Sequence, residues 1–388
     1  MQLQFAHWQG TDESNALAEI LLDEFNQQQT RIDATIKWLP DYERTVQSML
    51  AGEDSPDLLL VDLFSLPELV EQNLLEPLQG SELDMLSQAL RIDLFPELVA
   101  AFTVDEYLYC IPREFTTLVT IYHKGLFDVA AVPYPHSDWN WAAFQSAARQ
   151  ITESPNEYYS TFGVALNPDI SRWLPFLYQA GGTLFTQDPQ RMAIDSSAGL
   201  TALDFYLGLH LEGYAVVSEE TGSVWTGEAL GKERVGMIIE GSWALSYLDE
   251  EFPSVEYGIA PLPRGGSGRS TVLFGHCIAI SAQSQNQREA LTLLEYLSSV
   301  DVQTRWQVES NLLPARMSLQ RQMEQLDPRL ASFYAGADYA VPWRLPIGFE
   351  RFVDAVNTSM KQVLDAEITT EEVLRVGRVI GDDLLRNE

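Results

Sequence analysis

The first 63 residues restrict the fold more than any other part of the chain. Leu3 to Trp8 suits a strand, and Ser14 to Gln28 sets Leu17, Ile20, Leu21 and Phe25 at helical spacing. Ile32, Ala34, Ile36 and Trp38 alternate as in a half-buried strand. A helix with Tyr42, Val46, Met49 and Leu50 then stops at Gly52. Leu58-Leu59-Leu60-Val61 is continuously apolar, as in a strand covered on both faces. This βαβαβ order predicts an α/β fold with a parallel sheet and helices on both sides. Ligands of such sheets bind beyond the carboxyl ends of the strands, here Trp8-Gln9-Gly10-Thr11-Asp12 and Asp62-Leu63-Phe64.

A second unit begins near Tyr109-Cys110-Ile111-Pro112-Arg113-Glu114, an extended segment leading into a strand from Thr117 to Tyr122. In the following "SDWNWAAFQSAARQIT", Asp138 is placed as an N-cap before a helical stripe of Trp141, Phe144 and Ala148. Phe162 to Leu166 and Val235 to Ile239 read as strands, and 171–180 and 197–211 as helices ending at glycine. Tyr257 to Pro263 is extended and stiffened by proline, then the turn-rich "RGGSGRS" leads into a strand from Cys277 to Ser281. A helix follows from Asn286 to Ser299, then "NLLPAR" at 311–316 and largely helical sequence.

At 388 residues the chain exceeds one comfortable core, so two domains are expected. Its 24 Lys plus Arg against 56 Asp plus Glu leave a net charge of -32. Such a surface repels phosphate backbones and anionic headgroups, so neither nucleic acid nor a membrane surface is an expected partner. Two cysteines, Cys110 and Cys277, rule out a disulfide scaffold and a Cys-based zinc site; two buried thiols are expected over one bridge, which stays open. No run of eighteen apolar residues occurs, and the start is strand-like rather than leader-like. That fits a cytoplasmic chain or one whose leader has been removed. The five histidines show no His-x-x-x-His pairing, and no Gly-x-Ser-x-Gly, P-loop or EF-hand pattern is present, so no metal and no cofactor is expected.

Several segments together resemble the extracytoplasmic solute-binding proteins of ABC importers, in the sugar-binding branch that includes the maltose- and trehalose-type proteins. They are "SPDLLLVDLFSLPELVEQNLLEPL" (55–78), "DWNWAAF" (138–144), "GMIIEGSWAL" (236–245), "YGIAPLPRGGSG" (257–268), "AISAQSQNQREALTLLEYLSSVDVQ" (279–303) and "LLPAR" (312–316). The resemblance implies a two-lobed periplasmic-binding-protein fold with a three-segment hinge and ligand in the interlobe cleft. Lobe one would be 1–111 with 261–315, and lobe two 112–260 with 316–388. It also implies a monomer without enzymatic activity that hands its ligand to membrane permease subunits, in a periplasmic or other extracytoplasmic place, with a lipid anchor possible in the precursor.

The same resemblance orders the candidate ligand-binding residues. Gly241-Ser242 at a strand-to-helix junction lets backbone approach a ligand and leaves helix-start N–H donors for hydroxyl oxygens. Trp243 offers a flat face to a pyranose, against the alternative of a core role. Glu240 beside it suits paired hydroxyls, or a solvated carboxylate. Asp62 ends a strand, where sugar contact is preferred over capping the next helix. Trp8 and Asp12 follow strand one, with Asp12 equally suited to capping. Arg113-Glu114 would lie at the cleft floor as ligand contacts or as an ion pair. Trp173 matches a cleft aromatic, against the alternative of a core role; Gly275-His276 matches a turn reaching the cleft, against a structural, hydrogen-bonded histidine; and Arg344 is a donor fork for hydroxyls or an anion. Trp243 with Asp62 and Glu240 favours a neutral mono- to trisaccharide or glucosyl polyol. If Arg113 and Arg344 both point inward, a sugar acid or glycerol phosphate becomes plausible. An enzyme acting on glycosides through Asp62 and Glu240 is the third reading.

Overall fold

A computed structural model describes residues 1–9, 12–39, 52, 55–154, 160–187, 191–310 and 312–387. The helix expected around residues 42–50 lies outside them. The chain divides into two units: the first comprises 1–116, 274–328 and 342–345, the second 117–273, 329–341 and 346–388. The chain therefore changes unit later than the boundaries expected at 111/112, 260/261 and 315/316. The reason lies in the strands: Cys110–Thr117 runs unbroken, and Leu313 pairs with Phe115 inside the first sheet.

In the first unit the strands lie in the order Leu313–Pro314, Cys110–Thr117, Thr271–Ile280, Leu58–Asp62, Gln2–Trp8, Asp33–Leu39. The βαβαβ start forms the expected parallel part, with Phe5 opposite both Ile36 and Leu58. The sheet is nevertheless mixed, because Thr271–Ile280 runs antiparallel to Leu58–Asp62 and sets His276 opposite Asp62. Helix Asp12–Gln28 buries Ala18 and Leu21 against Val302 and Trp306, with Leu17, Ile36 and Trp38 packed alongside. Each aliphatic side chain taken fully out of water in this way contributes about 1.5–3 kcal/mol. Cys110 and Cys277 do not remain thiols: adjacent strands bring their Cα atoms to 5.6 Å and they form a disulfide.

The second unit has the strand order Tyr257–Ala260, Val119–His123, Val235–Glu240, Phe162–Ala165, Ala215–Val216. Val235–Glu240 is central and all six of its residues are buried, which its apolar run requires. Its neighbours fix its register: Glu240 lies opposite Val119 on the antiparallel side, and Ile238 opposite Ala165 on the parallel side. The residues after Ala165 are thereby carried past the end of the strand that bears Glu240. Helix Trp141–Glu153 is capped by Asn140, whose side chain accepts the Ala143 N–H, and not by Asp138 as expected. The Ile170–Gln179 and Ser197–Leu211 helices form where the spacing put them.

Candidate functional site

Two Arg–Glu pairs stand out, one in each unit. In the first unit, the Arg113 Nε and Nη2 donate to both carboxylate oxygens of Glu114, at 2.9 and 2.6 Å. The Arg113 Nη1 lies 2.8 Å from His7 Nε2; a guanidinium only donates, so Nε2 accepts and the imidazole proton sits on Nδ1, which donates to the Trp8 carbonyl. Burial, reinforced by Arg113, pushes His7 down to about 3, so it is neutral at ordinary pH. Burial alone would raise Glu114, but Arg113 and His276 outweigh it and hold the carboxyl at about 2. His276 Nδ1 donates to Glu114 at 3.1 Å, and the Arg113 guanidinium lies 4.3 Å from the centre of the Trp306 ring. Gly275 lets the strand pass close to the Glu114 carbonyl, where a Cβ would crowd it. Arg113 is 7% and Glu114 3% exposed. Of the two roles left open for them, the structure shows the ion pair.

The second pair lies at the carboxyl end of the central strand of the other unit. Glu240, 4% exposed, accepts from Arg172 Nη2 at 2.7 Å, from Trp243 Nε1 at 3.1 Å and from the Thr226 hydroxyl at 2.6 Å. Arg172 Nη1 also reaches Asp169 at 3.4 Å, and the Ser171 hydroxyl at 2.8 Å. Burial would lower the Arg172 guanidinium, but Glu240 and Asp169 raise it, so its charge is locked in. Asp169 holds this geometry from the N-cap of its helix, where its carboxylate accepts the Ser171 N–H.

These groups line a cavity of about 390 Å³, within the range of small-molecule sites, together with Asn167, Trp225 and the apolar Ala165, Leu166 and Ile239. Both indoles are partly exposed. Each ring folds back over a glycine: Trp243 over Gly241 and Trp225 over Gly227, where a Cβ would overlap the ring. Gly241 thus makes room for Trp243 itself. Of the donors expected free at the helix start, two are taken: Ala244 N–H bonds the Gly241 carbonyl and Leu245 N–H the Ser242 carbonyl. Ser242 is fully buried.

Other expectations change too. Trp173 is 0% exposed and packs in the core of its unit; the residue that lines the cavity is its neighbour Arg172, one position round the helix. Asp62 uses both carboxylate oxygens on Ser65, the backbone N–H at 2.7 Å and the hydroxyl at 3.1 Å, and so leads into the Leu66–Glu71 helix. Arg344 Nη1 donates to the carbonyls of Ala101 and Thr103, which leaves it anchoring a loop of its own unit. Trp8 is half-buried, and the Asp12 side chain lies outside the described residues. Sequence reasoning missed Asn167, Asp169, Arg172, Trp225 and Thr226. The signal for the last two was present in "VWTGE" (224–228), which repeats the pairing of tryptophan with a nearby glycine in "EGSW" (240–243). Among the described residues no group of three His, Cys, Asp or Glu is placed to hold a metal ion, and no helix is long and apolar enough to cross a membrane.

An α/β unit that ends its central strand in a cavity with two indoles around a fully bonded carboxylate has the make-up of a solute-binding protein. Residues 21–330 match the family of bacterial extracellular solute-binding proteins, and the chain belongs to that family. A binding protein of Brucella abortus (strain 2308) is 20% identical over 355 residues, covering 90% of this chain and 84% of that protein. Among solved structures, the sugar-binding protein MalE of Xanthomonas citri is similar at a TM-score of 0.86 and 20% identity, covering 100% of this chain and 98% of its own. The GacH receptor of Streptomyces glaucescens, solved unliganded and with acarbose, is similar at 0.84 and 23%, covering 100% and 98%. The cyclic alpha-maltosyl-1,6-maltose binding protein of Arthrobacter globiformis is similar at 0.85 and 20%, covering 100% of both chains. At these identities the shared feature is the fold.

Proposed function

We propose that this chain is the substrate-binding component of an ABC importer, and that it captures a neutral carbohydrate at the Trp243–Glu240–Arg172–Trp225 cavity for delivery to a membrane permease. The candidate ligands are mono- to trisaccharides and polyol glycosides such as a glucosyl polyol. The protein acts as a monomer in an extracytoplasmic place and performs no chemistry on its ligand. The observation that carries the reading is the pair of partly exposed indoles in one cavity with hydrogen-bonding groups at their rim. Sugar rings pack C–H-rich faces on such planes while hydroxyls bond at the edge.

The state of the arginines supports a neutral ligand over an anionic one. Arg113 is closed on Glu114, Arg344 is spent on two carbonyls, and Arg172 faces two carboxylates. Arg113 and Arg172 therefore bring no uncompensated positive charge to an anion, and Arg344, held by neutral carbonyls, is not among the residues that line the tryptophan cavity. The bonding of Glu240 argues against a glycosidase, since both of its carboxylate oxygens are already taken up by Arg172, Trp243 and Thr226. The sugars bound by the similar Xanthomonas, Streptomyces and Arthrobacter proteins point the same way. A buried disulfide suits maturation in an oxidising compartment.

The test is a thermal-shift screen of neutral sugars, glucosyl polyols, sugar acids and glycerol phosphates. A ligand at about 100 times its dissociation constant adds about 2.7 kcal/mol of stability. Hits among neutral glycosides, with a saturable compaction in small-angle scattering as expected of hinge closure, support the proposal. Hits confined to anions, or none, reject it.

A further inference from the structure

Asn167 lies just past the end of strand Phe162–Ala165, lines the tryptophan cavity, and is held from several sides. Pro168 after it restricts its backbone to extended conformations. Before it, the Leu166 N–H bonds the Val216 carbonyl at 3.1 Å, and the Leu166 carbonyl accepts from His210 Nε2 at 2.6 Å. The carbonyl of Asn167 itself accepts the Tyr206 hydroxyl at 2.7 Å and the Asp169 N–H at 2.8 Å. Its side-chain oxygen accepts the Ser218 N–H and hydroxyl, each at 3.0 Å. A backbone N–H only donates, so the atom turned to Ser218 is the oxygen, and the amide nitrogen lies on the other side. Among the described residues that nitrogen has no partner, and it is not sealed off from solvent.

The carboxylates of the same cavity are in the opposite state. Glu240 has one oxygen on the Thr226 hydroxyl and the other on Arg172 and Trp243. Asp169 spends one oxygen on the N–H and hydroxyl of Ser171 and the other on Arg172. The charged acceptors are thus committed, while Asn167 brings a free amide NH2. A sugar ring packed on Trp243 carries its hydroxyls at the rim, and a hydroxyl oxygen is the acceptor that such a donor needs. Resting on the sugar reading above, we infer that Asn167 is a specificity-determining donor of this site. Its Nδ2 donates to the oxygen of one sugar hydroxyl and selects the epimer that brings that hydroxyl within reach. Because Ser218 holds Oδ1, the amide does not turn round to accept, and the direction of the bond is fixed.

The experiment is calorimetric titration with glucose, galactose, mannose, maltose and trehalose, and then with the best binder among them after each hydroxyl in turn is replaced by hydrogen or by fluorine. Fluorine accepts weakly and cannot donate. The test variant is Asn167→Asp, which keeps an oxygen for Ser218 and puts an acceptor where the NH2 stood. In the wild type one hydroxyl stands out: its deoxy analogue binds about tenfold more weakly than the parent sugar, and its fluoro analogue less weakly than the deoxy one. In Asn167→Asp the order of those two analogues reverses at that position, because fluorine now meets a carboxylate, and it stays as it was at every other position. Asn167→Ala abolishes the penalty for the deoxy analogue. A role confined to holding Ser218 would change stability and leave these orders alone. A wild type in which no hydroxyl stands out, or an order that Asn167→Asp leaves unchanged, overturns the inference, while binding lost in Trp243→Ala keeps the sugar reading intact. If no sugar of the panel binds, the sugar reading itself fails and takes the role of Asn167 with it.

Discussion

The two Arg–Glu pairs are nearly the same chemistry in opposite surroundings. Arg113–Glu114 and Arg172–Glu240 both set a guanidinium on a buried carboxylate beside a tryptophan ring, at 4.3 Å for Trp306 and 5.7 Å for Trp243. In the first unit Trp306 is itself buried, a histidine bonds each partner of the pair, and a disulfide joins their strand to the one that carries His276. In the second the tryptophan stays partly exposed and the pair borders a cavity of about 390 Å³. Charge pairing alone therefore does not mark a binding site. What separates the two is an aromatic face left open beside the second pair, and on the function proposed above this makes the first a structural clamp and the second a place for a ligand.

The largest effect expected from this contrast is on stability in the first unit. Glu114→Gln strands a buried guanidinium, and breaking a buried pair from one side costs roughly 3–5 kcal/mol. Urea denaturation should show that loss, and calorimetry should show ligand affinity unchanged; an affinity loss greater than the stability loss would erase the distinction. Cys277→Ser removes the link across 167 residues and should lower stability by roughly 2–4 kcal/mol, again without touching affinity. In the second unit the weight reverses. Glu240→Gln leaves Arg172 with Asp169 as a partner, so stability falls less than in Glu114→Gln, while sugar affinity drops about tenfold, near 1.4 kcal/mol.

The smallest effect is on pH dependence, and it arises in both units, since burial also lowers His123 and brings His210 of the second unit down to about 4. His7 takes its proton near pH 3 in the folded protein against 6.5 ordinarily, and Glu114 near 2 against 4.5. In both cases the unfolded chain binds the proton first, so the contribution is fully present above pH 6.5 and is lost on acidification. His7 acts between 6.5 and 3, and Glu114 between 4.5 and 2. The slope is about 1.4 kcal/mol per pH unit for each proton. His7→Phe should make the upper part of the curve in denaturation series shallower by about one proton, with His210 and His123 carrying what remains; a slope identical to wild type would assign the titration to those groups alone.

Much of the fold was legible because hydrophobic periodicity reports burial directly. The alternation after Ile32, the continuous Leu58–Val61 run and the helix 197–211 all formed where pattern placed them. Capping was legible only as chemistry: "SDWN" offers Ser137, Asp138 and Asn140, and which one caps depends on where the turn begins. The site was half legible. Glu240 and Trp243 could be found because a strand end followed by glycine and tryptophan is a local signature. The sequence points to Trp173 and gives no sign of Arg172, because local pattern does not say which of two neighbours faces a cavity, and that depends on how the helix sits on the sheet. The cysteine bridge was missed because it depends on strand order, which no local pattern encodes.

The central claim is that the open indole of the second unit, and not the closed cluster of the first, holds the ligand. Titrating the best neutral sugar of the screen into wild type and Trp243→Ala tests it most directly. The account predicts an affinity at least tenfold weaker in the variant, with stability altered by no more than about 1–2 kcal/mol, since this ring is partly exposed already. Equal affinity in the two proteins would contradict it.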